Sequence, residues 1–133
     1  MTTIAEQHSW TKQDDIIAFY LSKFHADRFL GISLARIAKI LSERPLPDGS
    51  AAVPMSAFSL SRRMSNFDYL DGKGAYSNYA KLSRAVYEEY KNASIIELRS
   101  LAIQILGITV RDSVEREFQN FCQKFLKPKP PIK

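Results

Sequence analysis

The sequence predicts an all-α protein of about six helices, because apolar residues return at i, i+3, i+4 and i+7 in successive segments and no segment alternates with strand period. Capping residues and Gly or Pro breaks punctuate those segments and order them as a helix-turn-helix-like core followed by two additional C-terminal helices. With 133 residues, 45% of them hydrophobic, the chain is sized for one compact core. The expected organisation is a flexible N-terminus over residues 1–9, a single helical domain over 10–126 and a disordered basic Pro/Lys tail over 127–133. Within that domain, residues 10–90 form the helix-turn-helix-like region and 91–126 supply two packing helices.

The first helix is expected within Trp10 to Phe24. Thr11 caps it, Asp14 follows at the third helical position, and Ile17, Tyr20, Leu21 and Phe24 share one side. Gly31 ends this unit. Ser33 caps a second helix in which Leu34, Ile37, Ala38 and Leu41 face inward while Arg36 and Lys39 face outward. The stretch Glu43 to Pro54 contains Pro45, Pro47, Gly49 and Pro54, so helix cannot continue there and an exposed loop is expected.

Ser56 caps the third helix, whose Leu60, Met64 and Phe67 can bury together. After a turn over Asp71 to Gly74, Ser77 caps a fourth with Tyr79, Leu82, Val86 and Tyr90 as its apolar seam. The fifth spans Ser94 to Leu106, with Leu98, Leu101, Ala102 and Ile105 inward and Gly107 as its stop. The sixth begins near Asp112, carries the stripe Val114, Phe118, Phe121, Cys122 and Phe125, and ends by Pro128.

Composition excludes several function classes. The single cysteine, Cys122, cannot close a disulfide within the chain, and with only His8 and His25 a Cys/His zinc site cannot be assembled. No apolar run is long enough to span a bilayer and Met1 to His8 does not read as a secretory leader, so a cytoplasmic protein without membrane association is expected. The adjacent pairs Asp14/Asp15 and Glu88/Glu89 point to different sides of a helix and read as helix-end or surface charge. His25, near Asp27 at a helix end, reads as a dipole partner. No serine stands at a suggestive spacing from a histidine and no Gly-rich phosphate loop occurs. An enzyme is therefore not expected, nor is a cofactor.

Nineteen Lys and Arg against fourteen Asp and Glu give a net charge of +5, which favours a polyanionic partner. The third helix offers a means of contact. Ser59, Arg62, Arg63 and Asn66 fall at i, i+3, i+4 and i+7, a polar stripe opposite the apolar side. Arginine can donate in bidentate fashion to guanine, asparagine can pair with adenine, and serine can approach closely or hold a phosphate. Ser56 to Phe67 is thus the expected recognition helix for duplex DNA, flanked by Arg36, Lys39, Lys73, Lys81 and Arg84 as phosphate contacts. Spacing alone allows the alternative of a plain solvated face, with Asn66 capping backbone groups near the helix end.

The run from Ser59 through Asp71 (Ser-Leu-Ser-Arg-Arg-Met-Ser-Asn-Phe-Asp-Tyr-Leu-Asp), then Gly74 to Leu82 and Val86 to Tyr90, resembles the N-terminal helical region ahead of HNH nuclease domains in restriction-type bacterial endonucleases. Trp10-Thr11 with Asp14 and Asp15 resembles the opening of that region. The likeness covers about Trp10 to Tyr90. Two features depart from it: the Pro-rich loop is longer, and nothing after Tyr90 resembles a nuclease, no histidine occurring after His25. What the resemblance implies is the DNA-targeting half of such an enzyme without its cutting half, with Ser59, Arg62 and Arg63 as contacts and Ser77, Asn78 and Lys81 next. Phe67, Leu70 and Leu82 also match, and read as core.

The alternative is a protein-interaction module, a regulator or inhibitor of a nuclease or another bacterial protein, in a restriction or mobile-element setting. Phe118, Phe121 and Phe125 either complete the core or pair across a two-fold axis, giving a homodimer through helices 94–126.

Overall fold

The computed structural model describes residues 10–24, 29–44, 54–70 and 81–125. They form six helices: α1 (Lys12–Phe24), α2 (Leu34–Glu43), α3 (Ala57–Leu70), α4 (Lys81–Tyr90), α5 (Ile95–Leu106) and α6 (Asp112–Phe125). Among the described residues there is no strand, and no helix is long and apolar enough to cross a membrane.

α1 starts with a reciprocal cap. The Asp14 amide donates to Thr11 Oγ1 at 3.2 Å and the Thr11 amide donates to Asp14 Oδ2 at 3.1 Å, which satisfies two donors that a helix start leaves open. From Asp14 to Leu21 every residue is buried, so this helix is enclosed on all sides where the apolar spacing anticipated one inward stripe. α3, α4 and α5 all pack on it.

Hydroxyl caps also begin α2, α3 and α5. Ser33, Ser56 and Ser94 each accept an amide at 3.1 Å, from Arg36, Ser59 and Glu97 respectively. α2 and α3 are joined through residues 44–56, longer than the short turn of a helix-turn-helix, and Ser42 ties the ends of that connection. Its hydroxyl donates to Ala38 O and accepts the Met55 amide, both at 2.7 Å. The N-terminus, the tail, most of the Pro-rich loop, and the Asp71 to Gly74 turn with Ser77 and Tyr79 lie outside the described residues.

One cluster of buried apolar side chains draws on all six helices, from Ile17 and Ile37 to Leu60, Val86, Leu98 and Phe118. Leu106, rather than Ile105, is the buried residue at the end of α5. There Gly107 adopts φ 64° and donates to Ile103 O at 2.9 Å.

α6 joins the others through the segment before α2. Phe29 meets Phe118 and Phe121 with ring centroids 5.3 and 5.0 Å apart, and Arg99 of α5 holds the junction. Its Nε donates to Phe29 O at 3.0 Å, its Nη2 reaches Glu115 at 2.8 Å, and its guanidinium lies 4.0 Å from the Phe118 ring centroid. The sequence reading assigned Arg99 no role. Gly31 adopts φ 74°, and a Cβ there would meet Val114 Cγ2 at 3.0 Å, so two constraints favour glycine.

Gly31→Ala should therefore lower unfolding free energy by about 1–2 kcal/mol, measured by urea titration, with α6 loosened. Tyr20 is fully buried and its hydroxyl has no hydrogen-bond partner among the described residues. Burial pushes its ionisation well above the usual tyrosine range. Tyr20→Phe removes a desolvated hydroxyl that gains nothing in return, and the same titration should show stability unchanged or raised by about 1 kcal/mol.

Candidate functional site

The stripe expected to read DNA divides in two. Arg63 turns toward α1, where its Nε and Nη2 donate to Asp15 Oδ1 and Oδ2 at 2.5 and 2.7 Å. Asp15 is 0% exposed and lies in the enclosed helix. Ser83 of α4 donates to Asp15 Oδ2 at 3.2 Å, and Asn66 Nδ2 donates to Ser83 Oγ at 3.2 Å. The Arg63 guanidinium also lies 4.6 Å from the Trp10 ring centroid. One polar network thus joins α1, α3 and α4.

This corrects the expectation for Arg63, Asn66 and Asp15. The cause is the angle around α3: Arg63 and Asn66 stand on the flank that meets α1 and α4, and a buried carboxylate there requires a cation. Asp15 is no surface charge, and Asn66 donates to a side chain where a backbone cap was the alternative. Burial pushes the Asp15 carboxyl above its ordinary range against the opposing pull of Arg63 and Ser83, so desolvation outweighs the attraction of the pair.

What remains outward is smaller. Of the α3 side chains described, Phe58, Ser61 and Arg62 are exposed, and Phe58 is 70% exposed with the Arg62 guanidinium 5.9 Å from its ring centroid. Ser59 is half-buried, its hydroxyl 3.2 Å from that of Ser56. The one acid of α3, Asp68, accepts from Ser22 Oγ at 2.6 Å.

On α2 the exposed residues are Ala35, Arg36, Lys39 and Glu43. Lys39 and Glu43 line a groove with Ser42, Pro54, Ser56 and Ala57, which sets Lys39 beside the first turn of α3. Arg36 is not among the lining residues. Lys81 is exposed at the start of α4, away from that groove's lining. Ser77, Asn78 and Lys73 lie outside the described residues, so the structure brings together Arg63 and Asn66, and separately Lys39 and the start of α3. Among the described residues no group of three His, Cys, Asp or Glu stands where it could hold a metal ion.

Sequence reasoning missed Asp15, Ser83 and Arg99 as buried polar anchors. A signal existed for the first: Asp15 stands next to Ile16 and Ile17 in a helix whose apolar residues run on all sides. Ser83 and Arg99 carry no such local mark.

The clamp has a measurable signature. Arg63→Ala leaves a buried carboxylate without its cation and should cost about 3–5 kcal/mol in denaturant unfolding. The paired change Asp15→Leu with Arg63→Met should cost less than Arg63→Ala alone, since it removes both charges. An Arg63→Ala protein as stable as the native one would show that the pair does not hold α3. Comparison with known proteins finds no matching family model, no matching curated protein and no matching solved structure.

Proposed function

We propose that this chain is a binding module for duplex DNA, acting through the solvent sides of α2 and α3 and gripping phosphates more than it reads bases. One observation carries the reading: these two packed helices expose the cations Arg36, Lys39 and Arg62 against one acid, Glu43. With Arg63 and Asn66 committed to the network with α1 and α4, the Arg/Asn pair suited to base edges is gone, and Arg62 is the remaining arginine of α3 for a groove or a phosphate. Lys81 supplies a further cation on α4.

The likeness of Trp10 to Tyr90 to the targeting region of restriction-type nucleases supports the same partner and suggests a targeting or regulatory module of a restriction or mobile-element system. A second reading follows from Phe58, because an exposed aromatic beside an arginine is the pairing that anchors protein interfaces. In that reading the partner is a bacterial protein, such as a nuclease that this chain regulates.

A mobility-shift titration of duplex DNA across salt separates the two. DNA binding should weaken steeply as salt rises, and Arg62→Ala and Lys39→Ala should each reduce the salt slope by about one while leaving the fold intact. Phe58→Ala should leave duplex affinity nearly unchanged. Absence of a shift at low salt, or an Arg62→Ala protein that binds like the native one, would reject the DNA reading.

A further inference from the structure

Phe58 is the most exposed of the large apolar side chains described, 70% open to solvent in the first turn of α3. It stands about 180° around that helix from Phe67, which is buried, so the core makes no use of its ring. One turn further on is Arg62, whose guanidinium lies 5.9 Å from the ring centroid. Ser61 and Ser65 continue the same side at i+3 and i+7, the first exposed and the second half-buried. The side therefore reads as an aromatic ring followed by a hydroxyl, a cation and a second hydroxyl.

A nucleobase suits a ring in this setting better than a protein surface does. A ring that anchors a protein interface is enclosed by further contacts that shut out water, whereas this one is bordered by a hydroxyl and a guanidinium, with Arg36 and Lys39 exposed on the packed neighbour α2. A base needs only one flat face to stack on, and it brings a phosphate on either side for the cations. We infer that Phe58 is a stacking platform for an unpaired base, with Arg62 gripping the phosphate beside it, so that the DNA this chain prefers carries a short single-stranded element within a duplex. This rests on the assignment of DNA as the partner and narrows the form of that DNA. In an intact duplex both faces of each base are covered by neighbours in the stack, and a base must be drawn out before the ring can meet it. A gap in one strand removes that cost beforehand. The cations of α2 and α3 grip phosphates in either form, so Phe58 sets the difference between the two.

Mobility shifts with an intact duplex and with the same duplex carrying a short gap in one strand test this. The native chain should bind the gapped probe about tenfold tighter, although that probe carries fewer phosphates. Phe58→Ala should bring the two probes to equal affinity, and so should Phe58→Leu, because stacking needs a flat π-surface that leucine lacks. Phe58→Trp should keep the preference. Circular dichroism should show native helix content in all three variants, as the side chain is exposed. Equal binding of both probes by the native chain, with the steep salt dependence intact, would overturn the stacking inference alone and leave Phe58 to a protein interface. A preference retained by Phe58→Ala or Phe58→Leu, or lost by Phe58→Trp, would overturn it as well. Failure to bind either probe would remove DNA as the partner and this inference with it.

Discussion

Enclosing α1 on every side places Asp15 where water cannot reach it, and a carboxylate in that position persists only with a cation and hydrogen-bond donors around it. Arg63 and Ser83 are those groups, and they come from the two helices that flank α1 at that level. A buried pair of this kind adds little net stability, because taking both charges out of water offsets their attraction. Its effect is on geometry. A bidentate fork fixes direction as well as distance, so α3 can rotate or slide against α1 only by stranding the charge.

That constraint divides two neighbours in sequence. Arg62 and Arg63 differ by one residue, about 100° around a helix, and this is the difference between a solvated guanidinium over Phe58 and one enclosed between Trp10 and Asp15. Trp10, Asp15, Arg63 and Asn66 gather at a single junction between α1, α3 and α4. Packing alone gives a reason for those residue types at those places.

The same device recurs between α5 and α6. Arg99 lies over Phe118 and reaches Glu115, much as Arg63 lies over Trp10 and reaches Asp15. The surroundings differ. The Glu115 side chain is 43% exposed and its carboxyl is held below the usual range by Arg99, whereas Asp15 is pushed upward by burial. The inner pair thus sets the position of α3 from within the core, while the outer one fastens α6 at the edge of the fold.

Helix type and order were legible in the sequence because apolar spacing, serine caps and Gly or Pro breaks are local features, each acting within a few residues. The Ser33, Ser56 and Ser94 caps and the Gly107 stop lie where those local rules put them. Which polar residues stay in water is a different kind of question. Arg63, Asn66 and Asp15 read alone as surface groups, and only the meeting of α1, α3 and α4 buries Asp15 and half-buries the other two. Local spacing fixes the angle at which a side chain leaves its helix, but the neighbour that it finds at that angle comes from chain far away in sequence, and tertiary packing alone decides it.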